Sequence, residues 1–183
     1  MPTDFDTLET YPIQIQKPLA LRFAEISLRA GKVEQAQMLL GLLEPEFPTM
    51  SLSQQSAWKY LNGELERQKN NDEAAIENWQ SLITGRDDYY RAKAGLSLTK
   101  LQLERQKITP AKAIDRLEGL RYAWRGDELE MLINYRLGEV YIDNKEYLKG
   151  LSVLRNAISL APETPMAREV TDYMTTTFRN LFT

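Results

Sequence analysis

The chain holds neither cysteine nor histidine in its 183 residues. Without cysteine there is no disulfide, no thiolate nucleophile and no zinc–sulfur site. Without histidine the usual general base near neutral pH is missing, together with the commonest transition-metal ligand. Catalysis would have to run on carboxylates, lysine, tyrosine or hydroxyls. The composition therefore favours a binding protein over an enzyme, with no metal and no other cofactor. No apolar run approaches the ~18 residues that a membrane-spanning helix needs. The opening Met1-Pro-Thr-Asp-Phe-Asp6 lacks the basic and apolar stretches of a secretory signal. The expected compartment is the cytoplasm, or the periplasm if the chain is a piece of an exported protein. Phosphate loops, dinucleotide glycine patterns and nucleophile elbows are also missing. Asp87-Asp88 and Glu44/Glu46 have neither the spacing nor the glycine of a calcium loop.

What remains is the composition of a folded domain. The mass of 21.1 kDa suits one core, and the 27% charged and 43% hydrophobic fractions argue against disorder. Charge is unevenly spread. Residues 1–90 carry 8 basic and 14 acidic side chains, residues 91–125 carry 9 and 3, and residues 126–183 carry 6 and 9. The middle block is either a surface for an acidic partner or a set of cations scattered over solvated helix faces. Tyr122-Ala-Trp124-Arg125 could stack on bases, but a pI near 5.2 argues against nucleic acid. Packing and a helix C-terminus explain those residues more simply.

A repeat organises the chain. Ala36, Ala75, Ala113 and Gly150 each lie early in an amphipathic run, 39, 38 and 37 residues apart. Each is followed by apolar residues at helical spacing, such as Leu39, Leu40 and Leu43, or Leu151, Leu154 and Ile158. Upstream runs, from Leu21 to Leu28, Trp58 to Leu65, Ala92 to Leu103 and Leu129 to Tyr141, supply partner helices. Strand-like alternation is confined to Tyr11-Pro-Ile13-Gln-Ile15. The predicted class is all-α, an array of helical hairpins. Thr109-Pro110 and Thr164-Pro165 read as capped helix starts, and Gly126-Asp127-Glu-Leu-Glu130 reads as a helix stop followed by a capping box. A final stripe of Met166, Val170, Met174, Phe178, Leu181 and Phe182 predicts a helix that caps the array or docks a second copy.

The last hairpin carries Leu137, Gly138, Tyr141, Gly150, Leu154, Ala157 and Pro162, and in this it resembles a tetratricopeptide repeat (TPR). Asn134 stands where that family has tryptophan. Phe23-Ala24, Gly31, Ala36, Leu40 and Pro48 keep the same intervals in the first hairpin. The second matches through Trp58, Leu61 and either Tyr60 or Leu65, with an inter-helix loop expected to be one residue long. The third, around Ala94-Gly95 and Ala113, is expected to carry about six extra residues between Gln102 and Ile108. The resemblance implies an N-terminal extension (1–16), four repeats (17–50, 53–85, 88–124 and 127–164) and a capping helix (165–183). It further implies a right-handed α-solenoid whose first helices line a concave groove, in a scaffold of bacterial type.

On this reading the groove positions are Leu21, Glu25 and Arg29, then Lys59, Gly63 and Arg67, then Tyr89, Ala92 and Leu96, then Tyr135, Glu139 and Asp143. The Lys/Asn clamp with which some TPR proteins hold a C-terminal carboxylate is broken, because Leu21, Glu25, Ala92 and Leu96 occupy its places. The resemblance instead nominates Lys59, Arg67, Tyr89, Tyr135 and Glu139 as contacts for a protein or peptide partner. The alternative, favoured for either tyrosine taken alone, is half-buried hairpin packing. A homodimer through the final helix is the alternative expectation.

Overall fold

The computed structural model describes residues 12–160 and 162–181, and every regular element among them is helical. These residues form nine α-helices: α1 Ile13–Arg29, α2 Val33–Leu43, α3 Leu52–Gln68, α4 Asp72–Ile83, α5 Asp88–Glu104, α6 Pro110–Ala123, α7 Asp127–Asp143, α8 Tyr147–Leu160 and α9 Pro165–Leu181. The chain falls into two compact units, Met1–Ala94 and Gly95–Thr183. In the first, α1 packs on α2 and α3, α2 on α3, and α3 on α4. In the second, α6 packs on α7, α7 on α8, and α8 on α9. The fold is all-α, with helices packed in chain order. Ile13 and Ile15, which alternate like a strand in the sequence, belong to the first turn of α1. Leu181 closes α9 and Phe182 lies outside the described residues.

Four of the helices have the same length and the same ending. Each of α1, α3, α5 and α7 runs for 17 residues. Each stops on a left-handed residue, at Gly31 (φ 69°), Asn70 (61°), Gln106 (55°) and Lys145 (64°). The next amide reaches back five residues: Lys32 donates to the Ser27 carbonyl at 2.8 Å, Asn71 to Glu66 at 2.8 Å, Lys107 to Gln102 at 2.7 Å and Glu146 to Tyr141 at 2.8 Å. This is the Schellman turn, which satisfies carbonyls that the helix end would otherwise leave open. In three hairpins the second helix starts at the next residue. In the third, Ile108 and Thr109 intervene, and the Thr109 hydroxyl accepts from the Lys112 amide (3.2 Å), capping a helix that opens with Pro110.

These turns correct two sequence expectations. The loop of the second hairpin is three residues, Lys69 to Asn71, and not one. The third hairpin has two extra residues, not six, because α5 keeps the common length. The errors share a cause: the small residue that lets the helices approach was misplaced in both. Ala24, Gly63 and Gly138 are each the twelfth residue of their helix, and the facing Ala36, Ala75 and Gly150 are each the fourth. A Cβ on Gly63 would stand 2.3 Å from the Trp79 Nε1, one on Gly138 2.5 Å from the Leu154 Cγ, and one on Gly150 2.6 Å from the Ile142 Cγ1. Trp79 and Leu154 are fully buried, and the Trp79 indole N–H donates to the Tyr60 carbonyl at 3.3 Å. In α5 the twelfth position is Thr99, which is buried, and Gly95 sits one turn earlier against Leu120.

The other signature residues are packing residues too. Leu137, Leu154 and Ala157 have no exposed surface, whereas Pro162 is exposed beyond α8. Tyr141 is buried, with its hydroxyl donating to Glu118 Oε1 at 3.0 Å. Around these lie two clusters, one of Ala113, Leu117, Leu137, Val140 and Val153. The other joins Met131 and Leu154 to Ala167 and Val170 of α9. Capping mostly follows expectation. Thr164 accepts from the Ala167 amide, and Ser51 with Gln54 forms a full capping box that the sequence reading missed. At the start of α7 the box is displaced. Glu130 Oε2 accepts from the Gly126 amide at 2.6 Å, while the Asp127 carboxylate turns to the Leu129 amide.

Glycine substitutions should therefore split by sign. Gly63→Ala and Gly138→Ala force a methyl into fully buried neighbours and should each cost about 1–3 kcal/mol. Gly41→Ala and Gly119→Ala, at exposed helical positions with nothing within 4 Å, should each gain about 0.5–1 kcal/mol. Urea unfolding of the four variants checks this, and destabilisation by all four would contradict it.

Candidate functional site

In the first unit, α1, α3 and α5 converge on a pocket of about 230 Å³. Its apolar wall comes from Leu21 on α1 and from Ala57 and Leu61 on α3, all three buried. Ser53 and Gln54 stand at the start of α3, and Tyr90 and Lys93 close the side formed by α5. All of the lining residues among those described belong to the first helices of successive hairpins. Helix geometry explains this. Ala57 and Leu61 lie about 120° and 160° around α3 from Gly63, so seating the notch on α4 turns them to the opposite side.

The charged centre of the pocket is Glu25. It receives the Arg22 guanidinium at 2.7 Å, the Arg29 guanidinium at 3.0 Å and the Lys93 ammonium at 3.2 Å. Burial pushes its carboxyl up, but Lys93 and the two arginines outweigh burial and hold it below the usual carboxylate range. Lys93 also sits over three rings, 4.6 Å from the centroid of Tyr60, 5.4 Å from Tyr89 and 5.8 Å from Tyr90. A cation so placed is attracted by the ring faces and shielded from water. Tyr89 and Tyr90 meet edge to face at 5.0 Å, and Tyr60 and Tyr90 lie 5.9 Å apart. Burial, with Tyr89 and Glu25 nearby, pushes the Tyr90 hydroxyl well above its ordinary value, so it stays a neutral donor.

The residues nominated from the sequence do not gather in one place. Of the first-hairpin positions, Leu21 and Glu25 line the pocket and Arg29 pairs with Glu25. The second-hairpin stripe points elsewhere. Gly63 abuts Trp79, and the Lys59 ammonium lies 5.8 Å from the centroid of the Phe47 ring. Arg67 pairs with Glu64 at 3.2 Å. In α5 the working line is Tyr89, Tyr90 and Lys93, because Ala92 is buried and Leu96 packs on a core cluster of the second unit. In that unit Tyr135 stacks edge-on with Tyr173 of α9 at 6.1 Å. Burial and Glu139 raise its hydroxyl to about 12. Glu139 pairs with Arg136, which also reaches Glu104, and Asp143 is exposed. Sequence reasoning passed over Tyr90 and met Lys93 only as a member of the basic block over residues 91–125. The usable signal was the Tyr-Tyr-x-x-Lys run, whose i, i+4 spacing sets Tyr89 and Lys93 on one helical face.

The basic block itself is dispersed. Lys93 lies in the first unit, Arg91 pairs with Asp88, Arg116 donates to Gln102, and Arg121 pairs with Glu118. Among the described residues no helix is long and apolar enough to cross a membrane, and no group of three acidic side chains is placed to hold a metal ion.

Glu25 supplies a test of this geometry. Its carboxyl is held below the ordinary value of 4.5, so its stabilising contribution is complete above that pH and disappears as pH falls through the folded value. Glu25→Gln should lower stability at neutral pH, and its deficit against the parent should shrink as the pH drops well below 4.5. Urea unfolding at both ends of that range measures the gap; a deficit independent of pH would mean that the charge is not what Glu25 contributes. Comparisons of the chain with known protein families, with curated proteins and with solved structures find no match.

Proposed function

We propose that the chain is a non-catalytic scaffold of the TPR-like α-solenoid type, which receives a segment of a partner protein on the face formed by the first helices of its hairpins. The supporting observation is the pocket on α1, α3 and α5, lined among the described residues by first helices alone. In a repeat built on one notch, second helices use their apolar stripe against the first, and the remaining face of the first is free to meet a ligand. The four shared Schellman turns and the matching notch positions support the repeat reading. The absence of histidine and cysteine supports the non-catalytic one.

Pocket chemistry defines the segment. Three cations surround one carboxylate, which leaves local positive charge beside an apolar wall. An acidic residue next to an aliphatic one would answer both. Tyr90 adds a rigid aromatic surface that loses little entropy on binding. Self-association through α9 has less to draw on. Ala167 and Val170 are buried within the unit, Met166, Tyr173 and Met174 pack beside them, and Phe178 is mainly exposed.

Selection of a displayed random-peptide library on the intact protein tests the proposal. Enriched peptides should pair an acidic with an apolar residue. Their affinity should fall at least about tenfold, near 1.4 kcal/mol, in Ser53→Trp and in Arg22→Glu, both at exposed rim positions. Leu148→Ser, at an exposed site on α8, should leave affinity unchanged. Peptides indifferent to both rim substitutions would refute the site.

A further inference from the structure

The second unit carries a pocket of its own. About 750 Å³ in volume, it opens where the first turns of α7 and α9 meet the end of α8. Met131, Met166 and Leu160 form an apolar floor. Met131 is fully buried, with the Thr164 hydroxyl 3.9 Å from its sulfur, and Leu160 is 45% exposed, so the floor is open to a ligand. The rim is acidic: Asp127, Glu128, Glu130 and Glu169 line the pocket, and among the described residues no lysine or arginine does.

Two of those carboxylates are already engaged. Asp127 accepts from the Leu129 amide at 2.8 Å and from the Trp124 indole at 3.2 Å. Glu130 is buried against the Gly126 amide and the Arg125 guanidinium, at 2.6 and 3.3 Å. Glu128 and Glu169 are exposed on opposite helices, and neither belongs to a metal-type cluster. Helix N-termini favour such anions locally, but that preference explains neither the cavity nor its methionine floor. Methionine is flexible and polarizable, suited to an apolar side chain of no fixed shape. The volume falls within the roughly 300–1,000 Å³ typical of ligand pockets.

We propose that this pocket docks a basic amphipathic segment of a partner protein. An apolar side chain of the segment rests on Met166 and Leu160, above the buried Met131. Lysine or arginine residues beside it face Glu128 and Glu169. An acidic segment would meet uncompensated repulsion from the same pair, and a purely polar one would leave the floor wet. This site differs in unit, in charge and in partner chemistry from the one on α1, α3 and α5.

Fluorescence anisotropy with three labelled peptides on the intact protein decides the matter: one of leucine and lysine, one of leucine and glutamate, one of serine and lysine. The leucine–lysine peptide should bind at least tenfold more tightly than the serine–lysine one. Any binding of the leucine–glutamate peptide should fall in Ser53→Trp and not in Glu128→Lys/Glu169→Lys, because it belongs to the site on α1, α3 and α5. The double variant Glu128→Lys/Glu169→Lys should weaken it at least tenfold. The charge-matched control Glu34→Lys/Glu73→Lys, at exposed positions of the first unit, should change it less than twofold. Equal binding of the serine–lysine peptide, or equal loss in the control, would reduce the effect to net charge and overturn the proposal. So would binding unaffected by the double variant, or sedimentation showing that a second copy fills the pocket. Ser53→Trp should leave this peptide's affinity intact, so failure here is distinguishable from failure of the site on α1, α3 and α5.

Discussion

Two helices can lie against each other only as closely as their bulkiest facing residues allow, typically 8–10 Å between axes. In this chain the limit is set where the twelfth residue of one helix meets the early part of the next. At Gly63, Gly138 and Gly150 a single added carbon would fall within 2.3 to 2.6 Å of a neighbour's side chain. The filled side of each contact is a large buried residue, Trp79, Leu154 or Ile142, held by everything around it. That fit fixes the rotation of each first helix about its own axis. Once the glycine of α3 is seated, Ala57 and Leu61 have to face away from α4. The pocket on α1, α3 and α5 follows from the packing of the hairpins.

The same constraint explains what could be read from the sequence and what could not. Recurrence of Ala36, Ala75, Ala113 and Gly150 gives the helical period at once, because each is the fourth residue of a helix that packs in the same way. The other half of each notch is harder to find. Gly63 stands twelve residues before Ala75, as Gly138 does before Gly150 and Ala24 before Ala36, but Trp58 and Leu61 mimic a different register. In α5 the position is Thr99, which looks like no notch at all, while Gly95 offers a false one a turn away. Turn chemistry hides too. Asn70, Gln106 and Lys145 adopt the left-handed conformation that glycine takes at Gly31, and nothing in a glutamine or a lysine announces it.

Register errors carry straight into the choice of site residues. Lys59 and Arg67 sit within about 40° of Gly63 around α3, so misreading the notch turned that helix by roughly half a turn. Tyr89 was chosen for the right helix, and its neighbour Lys93 was seen only as one charge among nine. Three rings from α3 and α5 around one ammonium are a tertiary fact. Tyr60 is nearly thirty residues from Tyr89, and no local pattern joins them.

The arrangement around Lys93 also bears on how such a surface could discriminate between partners. Lys93 is held by Glu25 and by ring faces, and Glu25 is held by two arginines as well. An incoming carboxylate would take over hydrogen bonds that Glu25 now makes, releasing Glu25 toward water with its charge intact. The net gain is then a difference between two similar ion pairs, small unless the partner also covers Leu21, Ala57 and Leu61. Charge alone would select weakly and apolar contact alone without direction. A ligand carrying both gains the desolvation that neither provides separately, and the internal glutamate raises the threshold that every weaker anion has to pass.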